Sequence, residues 1–281
     1  MPNKIRAIWA HAAYQELKRR KLNASVALDQ AGLSQLAIAD RERWIPFDKE
    51  VLFFEAAAEL SGDDCFGLHL APTIELKTAG LIAYIGLAAK TLDDAIRNLI
   101  HYQHVHNVAM DGELIEDGSH VRLRDTYFEV DLHRYKQREE LDASLALHAT
   151  RWLTQKDISL VEVRFVHTRD KHRDEVERVL GCPVRYGQEY YEIVFHRDDL
   201  SLPIPTADKE LLRVLTKNAD LVLEERAANG DAFLDLVSER IVDQLSSGRV
   251  TAKKIASDLG TSQRTISRRL AEHGTSFDEL I

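Results

Sequence analysis

Near the C-terminus, residues 251–271 (TAKKIASDLGTSQRTISRRLA) read as a helix, a tight turn and a second helix, and this stretch most constrains what the chain can be. Ile255, Leu259, Ile266 and Leu270 fall where a two-helix unit needs its inner apolar contacts. Ala256 is small where the helices cross, and Gly260 stands at the turn, where a left-handed backbone is cheapest without a Cβ. With Ala256 as the fifth position of a twenty-residue unit, Ile255, Leu259, Gly260 and Ile266 fall at positions four, eight, nine and fifteen; only Thr261 stands where a larger apolar residue is usual. Ser262 is placed to cap the second helix. Gln263, Arg264, Ser267 and Arg268 form its outer face, suited to base edges, while Lys253, Lys254 and Arg269 suit phosphates. The expectation is a DNA-reading helix-turn-helix. The plainer alternative is a helical hairpin whose charges are merely solvated.

A net charge of −9 argues against nucleic acid when taken over the whole chain. Residues 249–281 reverse that locally: six basic residues (Arg249, Lys253, Lys254, Arg264, Arg268, Arg269) against four acidic ones (Asp258, Glu272, Asp278, Glu279) give +2, leaving −11 for residues 1–248. The 281 residues suggest about two domains. The chain has no apolar run of about 18 residues that would span a membrane, and its N-terminus carries charges inside every short apolar stretch, unlike a secretory signal. Cys65 and Cys182, isolated from each other, suit a reducing cytoplasm.

Along the chain, apolar spacing predicts helices over 4–20, 25–30 and 47–60, the last opened by Pro46 and closed by Gly62. Gly67, Pro72 and Gly80 are expected to break the next stretch into loops and short turns. Thr91 is expected to cap a helix over 92–106. Residues 113–116 and 120–125 flank Asp117-Gly118 as a hairpin, and strand-like pieces follow at 160–166, 183–186 and 190–196, with helices at 139–153 and 173–180. This describes an α+β domain, helices plus a small, mostly antiparallel sheet, over 1–205, ended by Leu202-Pro203-Ile204-Pro205. A helical linker (206–230) follows, with a run over 207–226 that places Leu211, Leu215, Ala219 and Val222 on one side and ends at Asn229-Gly230. Leu211, Leu215, Asn218 and Val222 also have the four-three-four spacing of a dimer seam. An all-α helix-turn-helix domain (231–281) begins with a helix over 231–246, terminated by Gly248.

His101, His104, Arg124, Tyr127, His148, Trp152 and Tyr186 lie on elements that can converge into an effector pocket, with Arg124 available for an anionic ligand. The competing reading is that each simply packs the domain or its rim. His101 and His104 share a helix face, but no metalloenzyme motif accompanies them, so neither metal nor cofactor is expected. The chain shows no phosphate-cradling glycine loop, no G-x-S-x-G elbow and no paired Cys sites, and no enzyme activity is expected.

The segment GTSQRTISRRLAEHGTSFDELI resembles the first helix-turn-helix of the AraC/XylS family of bacterial transcription regulators. Upstream, AGLS (31–34), FGLHL (66–70), residues 79–102, GCPVRYGQEYYEIVF (181–195) and LSLPIPTAD (201–208 and its preceding Leu200) are similar to the subgroup with an arabinose-binding-type N-terminal half. The resemblance implies a cytoplasmic, effector-dependent regulator, usually an activator, that senses a small molecule, dimerises and binds operator DNA, with RNA polymerase as a further candidate partner. Family members carry two helix-turn-helix units, whereas this chain stops at Ile281, about where the joining helix should begin. Either it is a truncated regulator or it is a natural variant with half the reader, and weak DNA binding is expected as phosphate contacts are lost. The rival reading is a ligand-binding or protein-interaction module that does not itself bind DNA.

Overall fold

The N-terminal residues form a strand before they form a helix. In the computed structural model, which describes residues 3–128, 130–228, 232–245, 250–272 and 275–280, β1 (Lys4–Arg6) pairs antiparallel with β2 (Trp44–Pro46). The first helix therefore runs over Ile8–Arg19 rather than from residue 4, because Ile5 is buried against Ile45 and not in a helical stripe. Helices Ala24–Ala31 and Phe47–Ser61 follow, closed by Gly32 and Gly62 in left-handed conformations. The stretch expected to be loops holds two helices, Phe66–Leu70 and Leu81–Ala88. The sequence LIAYIGLA is apolar on nearly every side, so it carries no amphipathic period; it is helical because it is sandwiched between neighbours. Thr91 caps helix Leu92–Tyr102 by accepting from Asp94 N, and a 3-10 turn, Gln103–Val105, replaces its expected last turn.

Five further strands, β3 (Met110–Asp117), β4 (His120–Tyr127), β5 (Glu162–Arg164), β6 (Val184–Arg185) and β7 (Tyr191–His196), make one sheet in the order β3-β4-β7-β5-β6. Three of its four pairings are antiparallel, in keeping with the expected mostly antiparallel sheet, and the parallel β5–β6 pairing makes it a mixed one. Gly118 turns the β3–β4 hairpin at φ +60°. The central helix Gln137–Thr154 packs against Phe47–Ser61 and Phe66–Leu70, and it buries four consecutive polar residues, Gln137, Arg138, Glu139 and Glu140.

The helix expected over 207–226 runs over Lys209–Ala228. Leu212, Leu215, Ala219 and Val222 pack it against Ile82, Ile85, Tyr102 and Val105. Leu211, expected on that same side, is 43% exposed, as are Val214 (56%) and Leu221 (53%) on the opposite face. The expected helix terminators Asn229-Gly230 and Gly248 lie outside the described residues. Helices Ala232–Leu245, Ala252–Asp258 and Gln263–Glu272 share a separate apolar cluster of Phe233, Leu236, Val237, Ile241, Ile255, Ala256, Leu259, Ile266 and Leu270.

Candidate nucleic-acid interface and adjoining pocket

The two C-terminal helices are set by caps and a turn that their own residues supply. Thr251 Oγ1 accepts from Lys254 N at 3.2 Å, Gly260 takes φ +63°, and Ser262 Oγ accepts from Thr265 N at 3.1 Å. Burial of Ile255, Leu259, Ile266 and Leu270 leaves Lys253, Lys254, Gln263, Arg264, Ser267 and Arg268 exposed, with Ser262 half-buried at the cap. Six donors thus lie on the outer surface of one helical pair.

Arg269 does not join them. It is 4% exposed, with its guanidinium 3.9 Å over the Phe233 ring and 5.1 Å from that of Phe128. Its Nε is 3.6 Å from Asp111 Oδ2. A residue expected to serve phosphate is instead packed between the helical pair and the N-terminal part. Its neighbour Arg268 also reaches across: Nη2 donates to Asp111 Oδ2 at 2.8 Å. Asp111, on β3, is buried, and its Oδ1 lies 3.0 Å from His104 Nε2 and 3.3 Å from Gln103 Nε2. Burial alone would raise the Asp111 carboxyl, but the His104 hydrogen bond and the charges of Arg269, His104 and Arg268 hold it below its ordinary value.

The seven residues suggested for an effector pocket do not meet in one place. His101 is exposed and edge-on to Tyr102. His104 is the partner of Asp111 just described. Arg124 is engaged with Glu192 at 2.7 Å and lies 4.0 Å over the Tyr190 ring, which leaves it poorly placed for an anionic ligand. His148 and Trp152 are half-buried on the central helix. Tyr186 meets Phe165 at a tilt and His167 edge-on. Tyr127 lies parallel to Phe47 with ring centroids 5.4 Å apart, and its hydroxyl donates to Asp142. Among the described residues, no group of three or more His, Cys, Asp or Glu is arranged to hold a metal ion.

Of those seven, Tyr127 alone lines a cavity of about 550 Å³ between the sheet and the helical pair. Its base includes Asp125, Tyr127, Glu139 and Tyr191; its opposite wall is the turn from Ser257 to Ser262. Below it lies a buried charge cluster that sequence reasoning missed. Arg138, 2% exposed, pairs with Asp142 at 3.1 Å and with Glu50 at 3.6 Å. Burial pushes the Glu50 carboxyl up to about 7, and burial together with the nearby Asp142 charge pushes Asp125 up to about 8. The one sequence signal was the helix's lack of a clean apolar stripe, which places Arg138, Glu139 and Glu140 on positions that packing must cover.

Residues 22–204 match the arabinose-binding domain of AraC transcription regulators, N-terminal. The chain belongs to that family of transcription regulators. It is 30% identical over 232 residues to the HTH-type transcriptional regulator VirS of Mycobacterium tuberculosis, a match covering 80% of this chain and 66% of that protein. The Ornithine utilization regulator of Pseudomonas aeruginosa is 22% identical over 229 residues, with the same two coverages, 80% and 66%. The chain therefore spans slightly less than two thirds of the length of these relatives. A crystal structure of the transcriptional regulator CdpR from Pseudomonas aeruginosa aligns with a TM-score of 0.46 at 20% identity, over 76% of this chain and 69% of that one. No described helix is long and apolar enough to cross a membrane.

Proposed function

We propose that this regulator binds DNA through the helix Gln263–Glu272 and that a small-molecule effector bound to its N-terminal part controls the binding. The observation that carries this is the helical pair itself: an apolar inner face, side-chain caps at Thr251 and Ser262, and an outer face of Lys253, Lys254, Gln263, Arg264, Ser267 and Arg268. The Arg268–Asp111 pair supplies the link to the sensor, since Arg268 cannot serve Asp111 and a base edge at once. Activation, through contact with RNA polymerase, is the mode we favour.

The test is selection from a random-sequence DNA pool by the intact chain, followed by anisotropy titrations across salt. Arg264→Ala should weaken the selected site by about 1–3 kcal/mol and relax its sequence preference, whereas Lys253→Ala should weaken all sequences alike and flatten the salt slope. Asp111→Asn should tighten binding by up to about fivefold, the worth of a partly exposed ion pair. A chain with no salt-dependent DNA affinity would instead be a ligand-binding or protein-interaction module.

The same reading includes a homodimer, because paired subunits read paired half-sites. Leu211, Val214 and Leu221 form the exposed apolar face of helix Lys209–Ala228, with Asn218 exposed among them. Leu215 and Val222, suggested for that seam by spacing, face inward. Sedimentation should show a dimer that Val214→Glu together with Leu221→Glu converts to monomer; dimers that survive both changes would place the seam elsewhere.

A further inference from the structure

The cavity between the sheet and the helical pair has a one-sided chemistry. Asp125, Asp131, Glu139, Glu189 and Asp258 line it, with His133 at the rim and neither Lys nor Arg among the described lining residues. Three of its polar atoms are buried with no hydrogen-bond partner among the described residues: Oε1 of Glu139, 0% exposed, the hydroxyl of Tyr191, 1% exposed, and the hydroxyl of Thr261 on the facing wall. Glu139 is aimed rather than loose. Its Oε2 accepts from Val166 N at 3.1 Å and His167 N at 3.4 Å, which orients the carboxylate and leaves Oε1 as an acceptor without a donor. Arg138, the buried guanidinium whose charge reaches Asp125, does not line the cavity and pairs with Asp142 and Glu50. Buried polar atoms in native proteins are normally satisfied, so Glu139 Oε1 calls for a donor, and the two hydroxyls for a partner, that the described residues do not supply.

We propose that this cavity binds a small organic cation, an alkylammonium or guanidinium compound, whose N–H groups reach Glu139 and Asp125 while its carbon chain lies against Tyr127, Tyr190 and Tyr191. The size suits a molecule of several heavy atoms. The tyrosine rings offer the faces on which cations and methylenes rest, and the carboxylates exclude anions. Burial has pushed both the Glu139 and Asp125 carboxyls above their ordinary values, and at Asp125 the Arg138 charge offsets that only in part. Because Ser257, Asp258, Gly260, Thr261 and Ser262 form the facing wall, the ligand touches both the N-terminal part and the turn that leads into the helix carrying Arg268. The inference rests on the reading that the N-terminal part takes an effector, and it names that effector's chemical class and seat.

Calorimetry on the full chain tests it, with 1,4-diaminobutane and 1-amino-4-guanidinobutane as probes and 1,4-butanediol as the neutral isostere. The expected result is saturable one-to-one binding of at least one cation, no binding of the diol, and a loss of at least about tenfold in Glu139→Gln and in Asp125→Asn. Ser257→Arg, a change at an exposed position on the cavity wall, sets a tethered cation at the mouth and should abolish binding with the fold intact, so the result does not depend on the buried variants folding. Binding of the diol as tightly as the diamine, insensitivity of cation binding to Ser257→Arg, or no saturable binding of either cation up to about 10 mM overturns the proposal. DNA affinity measured on the same samples separates the two failures: a chain that binds DNA but no cation loses only this inference.

Discussion

Arg138→Met is expected to unfold this protein more readily than any surface change, lowering stability by about 3–5 kcal/mol, with Tm falling on the order of 10 °C. Arg138 is 2% exposed and is the cation that Asp142 and Glu50 share. Removing it leaves two buried carboxyls without that cation, the Tyr127 hydroxyl donating to Asp142 and the Ala10 backbone to Glu50. The loss should depend on pH. In the fold, Glu50 sits near 7 against an ordinary value of 4.5, so its stabilising, protonated form is fully present below about 4.5 and is lost as pH rises through about 7. Without Arg138, whose charge lowers Glu50, that carboxyl rises further. The variant should therefore trail the wild type by more at pH 8 than at pH 5. His106, buried and held down to about 4 partly by the Arg138 charge, shifts the comparison the same way, because removing Arg138 eases its protonation in acid. Thermal melts of both proteins across that range measure it; an equal gap at the two pH values would mean that Arg138 acts by packing alone.

Gly67→Ala is the second change with a large expected cost. A Cβ there would stand 2.9 Å from the carbonyl carbon of Gln137 and 3.3 Å from its Cα, and closer still to its oxygen. All of these are backbone atoms of the central helix, so no side chain can rotate away. Gly67 N also donates to Gln137 Oε1 at 2.9 Å, and separating the two helices would break that buried bond. Overpacking of about 1–3 kcal/mol and a lost buried hydrogen bond of similar worth act together. Gly62→Ala is the control: its added methyl meets nothing within 4 Å, and only the left-handed backbone (φ +67°) is strained, at about 1–2 kcal/mol. Urea unfolding of the three proteins should rank wild type, Gly62→Ala and Gly67→Ala in falling order of midpoint. If Gly67→Ala matched the control, the close approach of the two helices would be in doubt.

Both predictions turn on contacts between residues some 70 to 90 positions apart, Gly67 to Gln137 and Glu50 to Arg138. Residues that answer to their immediate neighbours were legible in advance. Thr91, Thr251 and Ser262 cap helices because a hydroxyl there meets an N–H three residues on. Gly118 turns its hairpin and Gly260 its helical pair because only glycine enters that backbone region without strain. The apolar spacing of Ile255, Leu259, Ile266 and Leu270 marked the inner face of the C-terminal pair, and hence which polar side chains stand outside it.

What the sequence by itself determined, then, is the local grammar: helices, caps, turns, the exposed basic face and the family resemblance carried by those patterns. The tertiary structure decided the rest, because each remaining feature depends on a partner that local spacing cannot name. Lys4–Arg6 is a strand only because Trp44–Pro46 lies beside it, and Leu81–Ala88 is a helix in its sandwich between neighbours. Two adjacent arginines with the same local chemistry take different roles: Arg268 remains on the surface in an ion pair with Asp111, while Arg269 is enclosed between Phe128 and Phe233. The acid-lined cavity likewise exists only where the sheet and the turn at Gly260 face each other. Burial and pairing are properties of the assembled chain, and they set the charge state and reach of every residue on which the proposed regulation depends.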